Sequence, residues 1–323
     1  MVGGPLKLVF CGTPEFAVPT LEKLHAAGHA VCLVITQPDR PRGRGLTLAE
    51  SPVKQKALEL GLQVVQPETI KNNEEFRTRL AALQPDAIIV VGYGRIIPSW
   101  MIDLPRLGNI NLHASLLPKY RGAAPIQWAI ARGENLTGVT TMRIDAGLDT
   151  GDILLQKEVP IRHDDTAITL ASRLAALGAD LMVQTIQEMD SGTIHPRPQD
   201  HSQATLAPIL NKEDGQIDFE LPAQEICNRI RGFQPWPGVF TNFRGRKLHL
   251  WNATAATEKP VPPSGELLIE AGTLLVGCGR GQVLAVKEVQ PEGKKRMKVH
   301  EFIQGYRPRN GEKLETPHAE PLE

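Results

Sequence analysis

Three short runs constrain this chain most: residues 6–11 (LKLVFC), 30–36 (AVCLVIT) and 87–92 (AIIVVG) are apolar almost throughout. A strand that is apolar on both faces cannot leave either face in water. It belongs in a parallel sheet with helices packed over both sides. The intervening segments read as those helices. Thr13-Pro14-Glu15 opens one, with Thr at the N-cap, Pro in the first turn and an acid beside the N-terminus. That helix runs to about residue 27 and stops at Gly28. Further helices are predicted at 52–60 and 73–83, and short strands at 63–66 and 110–113. Segments 138–144 and 153–159 alternate in polarity and read as antiparallel or edge strands. A helix over 166–190 closes this part. Ligands of such sheets bind at the carboxyl ends of the strands. This places Gly12, Gly92 and the residues from His113 onward around one cleft.

The texture changes at residues 195–207 (HPRPQDHSQATLA), a polar, Pro-containing stretch that reads as a linker. Beyond it lie β-type runs at 247–251, 266–269, 274–277 and 283–289, separated by Gly and Pro turns. They follow one helix near 223–232, a pattern that predicts a small all-β barrel. The expected division is therefore an α/β domain over 1–206, a β domain over 207–310 and a frayed polar tail over 311–323. A chain of 323 residues can give two such domains their own cores without disulfide or metal.

Charge narrows the function classes. Lys plus Arg number 36 and Asp plus Glu number 36, so no global basic field announces nucleic acid. Any such surface must be local. No apolar run approaches the ~18 residues of a membrane span, and the start carries too brief an apolar stretch for a signal peptide; a cytoplasmic protein is expected. Cys11 and Cys32 sit inside apolar runs and read as buried small hydrophobes in a reducing compartment. With no CxxC and no histidine at metal spacing, no metal site is expected.

Two segments carry candidate chemistry. In 109–118 (NINLHASLLP), Asn111 and His113 are two apart, so on a strand they project to one side. An amide and an imidazole on one strand end can donate to a single developing oxyanion, as acyl transfer requires. The same residues also fit a satisfied buried histidine beside a loop-capping asparagine. The second segment, 143–152 (RIDAGLDTGD), is a sharp loop with three carboxylates. Its spacing does not match an alternating calcium loop. One aspartate set beside His113 would favour the imidazolium and accept a proton through water; Asx-turn chemistry is the alternative. Gly12-Thr13-Pro14 lacks the later glycines of a dinucleotide fingerprint and reads as a tight strand-to-helix turn.

Together with GTPEFAVPTLEKL, QPDRPRGRG, VVGYGRIIP, INLHASLLPKYRGAAPIQWAI, TGVTTMRIDAGLDTGDILLQ and GFQPWPGVF, these segments resemble the methionyl-tRNA formyltransferases, in order, from about residue 7 to about 306. The resemblance implies a Rossmann-like formyltransferase domain followed by a smaller, OB-like β-barrel domain. It implies transfer of the formyl group of 10-formyltetrahydrofolate to the amino group of methionyl initiator tRNA by a monomer. The family's catalytic Asn, His and Asp fall on Asn111, His113 and Asp149. Its folate-contacting Ser-Leu-Leu-Pro falls on Ser115, Leu116, Leu117 and Pro118, and residues 92–97 are expected to wall the pterin. Arg40, Arg42 and Arg44 lie in the loop that enters the acceptor stem, with Arg44 the expected contact. Tyr120 stands where Trp is common and Trp128 where Arg is common. A formyltransferase acting on a nucleotide-linked amino sugar would use the same trio; the arginine loop and the β domain favour tRNA. Residues 207–310 hold 15 basic and 11 acidic side chains, and Lys294, Lys295, Arg296 and Lys298 cluster there. Such an excess suits a phosphate-tracking surface; lysines guarding a strand edge are the rival reading.

Overall fold

The computed structural model describes residues 4–42, 47–256 and 261–315. The chain forms two compact units. One comprises 1–125, 136–160 and 171–208; the other comprises 126–135, 161–170 and 209–323.

The first unit begins with β1 (Lys7–Gly12), α1 (Val18–Ala26) and β2 (Ala30–Ile35). A hairpin, β3 (Arg40–Arg42) and β4 (Thr47–Ala49), precedes α2 (Pro52–Glu59) and β5 (Val64–Val65). Then come α3 (Glu74–Ala82), β6 (Ala87–Val91), the single turn α4 (Ser99–Ile102) and β7 (Asn109–His113), while the next helix, α5 (Pro125–Ala131), falls almost entirely in the second unit. The strands β8 (Leu136–Arg143) and β9 (Ile153–Pro160) and the long helix α6 (Ala167–Ser191) follow. The sheet order is β5-β2-β1-β6-β7-β8-β9. The first five strands are parallel, and β8 and β9, read from their alternation as antiparallel or edge strands, are antiparallel with β9 at the edge. All five residues of β6 are buried, so the central strand is covered on both faces. Ser51 caps α2 by accepting from the Lys54 amide (3.1 Å), and Asn73 caps α3 by accepting from that of Phe76 (2.9 Å).

The first helix departs from expectation. Thr13 does not cap it; a 3-10 turn at Glu15–Ala17 comes first. The Thr13 hydroxyl instead donates to the Tyr93 carbonyl (3.3 Å), tying together the ends of β1 and β6. Cys11 is buried, as expected, but Cys32 is half-exposed because the face of β2 it occupies is incompletely covered.

The second unit holds α7 (Ala223–Gly232) and the strands β10 (Val239–Phe243), β11 (Arg246–Ala256), β12 (Leu267–Glu270), β13 (Thr273–Cys278), β14 (Gln282–Pro291) and β15 (Met297–Lys298), with α8 (Val299–Tyr306). The strand path is β10-β11-β14-β13-β12, antiparallel throughout, with β15 on β14. Strand β10 and helix α8 escape prediction from sequence: each is short, and α8 buries only Phe302. Residues 311–315, expected to fray, are packed. Lys313 pairs with Glu266 and Glu315 with Asn242, so one segment joins both edges of the sheet, and Leu314 is buried between them. The polar composition hid this, because backbone pairing needs no apolar side chain. Residues 316–323 lie outside the described residues.

Within this unit Trp128 of α5 packs edge-on against Phe233 (centroids 5.3 Å apart), and Arg231 donates to the Asp165 carbonyl (2.8 Å). By compactness, residues 126–135 and 161–170 group with the second unit.

Candidate active site

Strand β7 delivers two asparagines and a histidine with different fates. Asn109 is buried, and its amide donates to the carbonyls of Met101 and Ile102 (both 2.9 Å), so it serves the fold. The Asn111 amide is half-buried and makes no hydrogen bond among the described residues. His113, two positions on, is buried. Its Nε2 lies 2.8 Å from the Tyr120 carbonyl oxygen, and its Nδ1 lies 3.7 Å from Asp149 Oδ2. A carbonyl oxygen only accepts, so Nε2 carries a proton. The nitrogen left for chemistry is Nδ1. Neutral His113 therefore offers a lone pair there, and only the imidazolium donates. The expected donation from His113 to an oxyanion therefore requires the protonated ring.

Asp149 has φ +53°, a left-handed backbone uncommon for a non-glycine residue. Its Oδ2 accepts from the Gly122 amide (2.9 Å). Of the three carboxylates in this loop, Asp145 is spent on an Asx turn, accepting from the Gly147 amide (3.0 Å) and the Thr150 hydroxyl (2.7 Å). Asp149 alone reaches the histidine. Among the described residues, no group of three or more His, Cys, Asp or Glu side chains is placed to hold a metal.

The scaffold behind the trio comes from residues that sequence patterns do not single out. The backbone of Tyr120-Arg121-Gly122 supports both His113 and Asp149. It is itself paired with residues 205–207: the amides of Tyr120 and Arg121 donate to Thr205 Oγ1 (2.9 Å) and the Thr205 carbonyl (2.8 Å), and that of Ala207 donates to the Arg121 carbonyl (2.7 Å). Gly122 has φ +118°, and a Cβ there would lie 2.6 Å from the Ala207 oxygen. Stretch 195–207, read as a linker, is thus a wall of the site. Gln199 within it is buried and bonded to the Asp149 loop.

The expected folate segment follows β7 directly. Ser115 is fully buried; its hydroxyl donates to the Lys119 carbonyl (2.6 Å), and its own carbonyl accepts from Thr140 Oγ1 (2.6 Å). Leu117 packs with Met142 and Ile153. Leu116 and Pro118 are half-buried and are the side chains of the four open to a ligand. Across the cleft, Gln37 knits the strand ends: its amide donates to the carbonyls of Tyr93 (3.0 Å) and Gly94 (3.2 Å), and its oxygen accepts from Arg95 (3.2 Å). Gly92 is required there, since its φ is +56° and a Cβ would meet Pro14 at 2.8 Å. On this loop Ile96 is 90% exposed while Arg95 turns inward onto the Pro67 carbonyl (3.0 Å). Burial drives the Tyr93 phenol up to about 12.

Arg40 and Arg42 lie on the β3–β4 hairpin, and Arg40 is exposed; Arg44 lies outside the described residues. Lys54 pins the hairpin at both feet, pairing with Asp39 and with Glu50 (3.0 Å). The Lys54 bond holds the Asp39 carboxyl below its usual range. In the β unit the basic cluster is partly neutralised, because Arg296 and Lys298 both pair with Glu288. Lys294 and Lys295 are exposed, and Lys247 Nζ sits 4.3 Å over the Phe240 ring.

Residues 6–186 match the formyl transferase family and residues 209–307 the formyl transferase C-terminal domain. A methionyl-tRNA formyltransferase of Koribacter versatilis is 65% identical over 309 residues, 95% of this chain and 98% of that one. Its counterpart in Acidobacterium capsulatum is 61% identical over 300 residues, 93% of this chain and 96% of that one. Among solved structures, the sugar 3N-formyl transferase WlaRD, crystallised with dTDP and 5-N-formyl-THF, superposes with a TM-score of 0.66 at 20% identity. The match covers 91% of this chain and 100% of that one, and it shows a shared fold. No helix of the described residues is long and apolar enough to cross a membrane.

Proposed function

Since the chain belongs to the methionyl-tRNA formyltransferase family, we propose that Asn111, His113 and Asp149 carry its reaction. The enzyme transfers a formyl group from a folate co-substrate to the amino group of methionyl initiator tRNA. We take the donor to be 10-formyltetrahydrofolate, bound against Leu116, Pro118 and the Gly92–Ile97 loop. The observation that carries the reading is the meeting of His113 Nδ1 and Asp149 at the end of β7, beside an Asn111 amide with no other partner among the described residues.

The chemistry follows from what each atom can do. The methionyl amine, as free base, attacks the formyl carbon, and a C–N bond forms while the carbonyl electrons move onto oxygen. The Asn111 amide and imidazolium Nδ1 donate to that oxyanion, where fixed donors act more strongly than water does. Asp149, too far from Nδ1 for a direct hydrogen bond, pairs with the imidazolium charge and receives the ammonium proton through a bridging water. Collapse of the intermediate breaks the bond to the folate nitrogen, which takes up a proton. Arg40, Arg42 and Arg44 would grip acceptor-stem phosphates through bidentate hydrogen bonds. The exposed cations of the β unit would track the backbone further along. All three reacting groups come from one unit, so a monomer suffices.

The test is direct. Purified enzyme with 10-formyltetrahydrofolate and charged initiator tRNA should yield formylmethionyl-tRNA. Elongator methionyl-tRNA should be a far poorer acceptor, and a nucleotide-linked amino sugar none. Equal rates on both tRNAs would remove the proposed selectivity.

A further inference from the structure

The Asp149 loop is clamped by a buried circuit that the reaction itself does not explain. Gln199 uses both ends of its amide. Its Nε2 donates to the carbonyls of Asp149 (2.9 Å) and Gly151 (2.7 Å). Its Oε1 accepts from Arg121 Nε (3.1 Å) and Nη2 (2.7 Å). Arg121 Nη2 also donates to His201 Nδ1 (3.2 Å). Both Arg121 and Gln199 are buried, and these acceptors on the guanidinium are uncharged. The circuit closes through the chain, because Gly122, next to Arg121, donates its amide to the Asp149 carboxylate.

A carboxamide has two orientations of nearly equal shape, and only one suits this site. Guanidinium donates and never accepts, so Arg121 fixes the Gln199 oxygen toward itself. That leaves both amide protons aimed at the two loop carbonyls. Released from Arg121, the amide can flip and set its oxygen against those carbonyls. The loop then loses what offsets the left-handed strain at Asp149. We infer that Arg121 and Gln199 are positioning residues for Asp149, locking its loop so that the carboxylate stays beside His113 Nδ1. Neither need touch substrate. The inference rests on the proposed role of Asp149.

The experiment compares Gln199→Leu, Arg121→Lys and Asp149→Asn, singly and as Gln199→Leu/Asp149→Asn, in formyl transfer across pH. Arg121→Lys keeps the charge but replaces the two-pronged grip on Oε1 with a single donor. Displacing a reacting group by about 1 Å costs roughly 100-fold, so kcat in both positioning variants should fall by about 10- to 100-fold. The KM values for folate and tRNA should stay within about two-fold, and the pH–rate profile should change as it does in Asp149→Asn. The double variant should be no slower than Asp149→Asn alone, since there is no carboxylate left to misplace. Losses that multiply, or an unchanged kcat in both variants while Asp149→Asn is impaired, would overturn the inference. A fully active Asp149→Asn enzyme would instead bring down the reading of the trio. If Gln199→Leu does not fold, Arg121→Lys and its double with Asp149→Asn decide alone.

Discussion

In the α/β unit His113, Ser115, Arg121, Thr140, Thr141 and Gln199 are all buried, and their hydrogen-bonding groups point inward to one another or to backbone. In the β unit several cations instead lie over aromatic rings. Arg244 lies over Phe243 at 4.6 Å, Lys247 over Phe240 at 4.3 Å and Arg296 over Trp251 at 5.3 Å. The difference teaches where each unit can contribute. Buried polar groups are held in one geometry, which a transition state rewards. Cations on a surface keep their hydration and their freedom, which suits a long polyanion met at many points. Surface ion pairs such as those of Glu288 add little stability, about 0–1 kcal/mol.

The sharpest way to break this division is at the trio. Asn111→Ala, His113→Ala and Asp149→Ala should each lower kcat by about 10²–10³-fold while the folate KM changes little. A variant that raises the tRNA KM and spares kcat would assign that residue to grip rather than chemistry. The next contrast sets two glycines side by side. Gly122→Ala forces a left-handed alanine and a clash with the Ala207 oxygen, and should cost stability by about 1–3 kcal/mol along with most activity. Gly281→Ala in the β unit has φ +63° but open space around the new methyl, so it should cost only about 1–2 kcal/mol and leave turnover intact. Thermal melts and initial rates separate the two.

A smaller effect is expected from the outer cations. Replacing Lys247, Lys294 and Lys295 with Gln should weaken tRNA binding several-fold and flatten its log–log salt slope by about 0.7–0.9 for each phosphate no longer neutralised. The folate KM should not move. An unchanged salt slope would remove the β unit from tRNA binding. The smallest effect concerns pH. Burial, with Lys247 adding to it, holds His249 below its ordinary 6.5, and its Nδ1 is buried without a partner among the described residues. A histidine depressed in this way contributes stability that is complete above 6.5 and is lost as pH falls through the folded value. His249→Phe should therefore show a shallower loss of melting temperature than the parent as pH falls below about 6.5.

Some of this protein was decided by sequence alone, because the information is local. The all-apolar AIIVV of β6 demanded a covered parallel strand, and alternation marked β8 and β9 as antiparallel or edge strands. The two-residue spacing put Asn111 and His113 on one face of β7. Other features depended on partners far along the chain, and no window of sequence holds both halves. Gln199 meets Asp149 across 50 positions, and Arg121 meets Gln199 across 78. Polar residues 195–207 and 311–315 looked like linker and tail because composition records only side chains. Backbone pairing made one a wall of the candidate site and the other the seam of the β sheet. Which of three loop carboxylates faces the histidine, and which imidazole nitrogen is free to act, were likewise settled by tertiary structure. A hydrogen bond is a matter of direction and distance, and both exist only after the chain has folded.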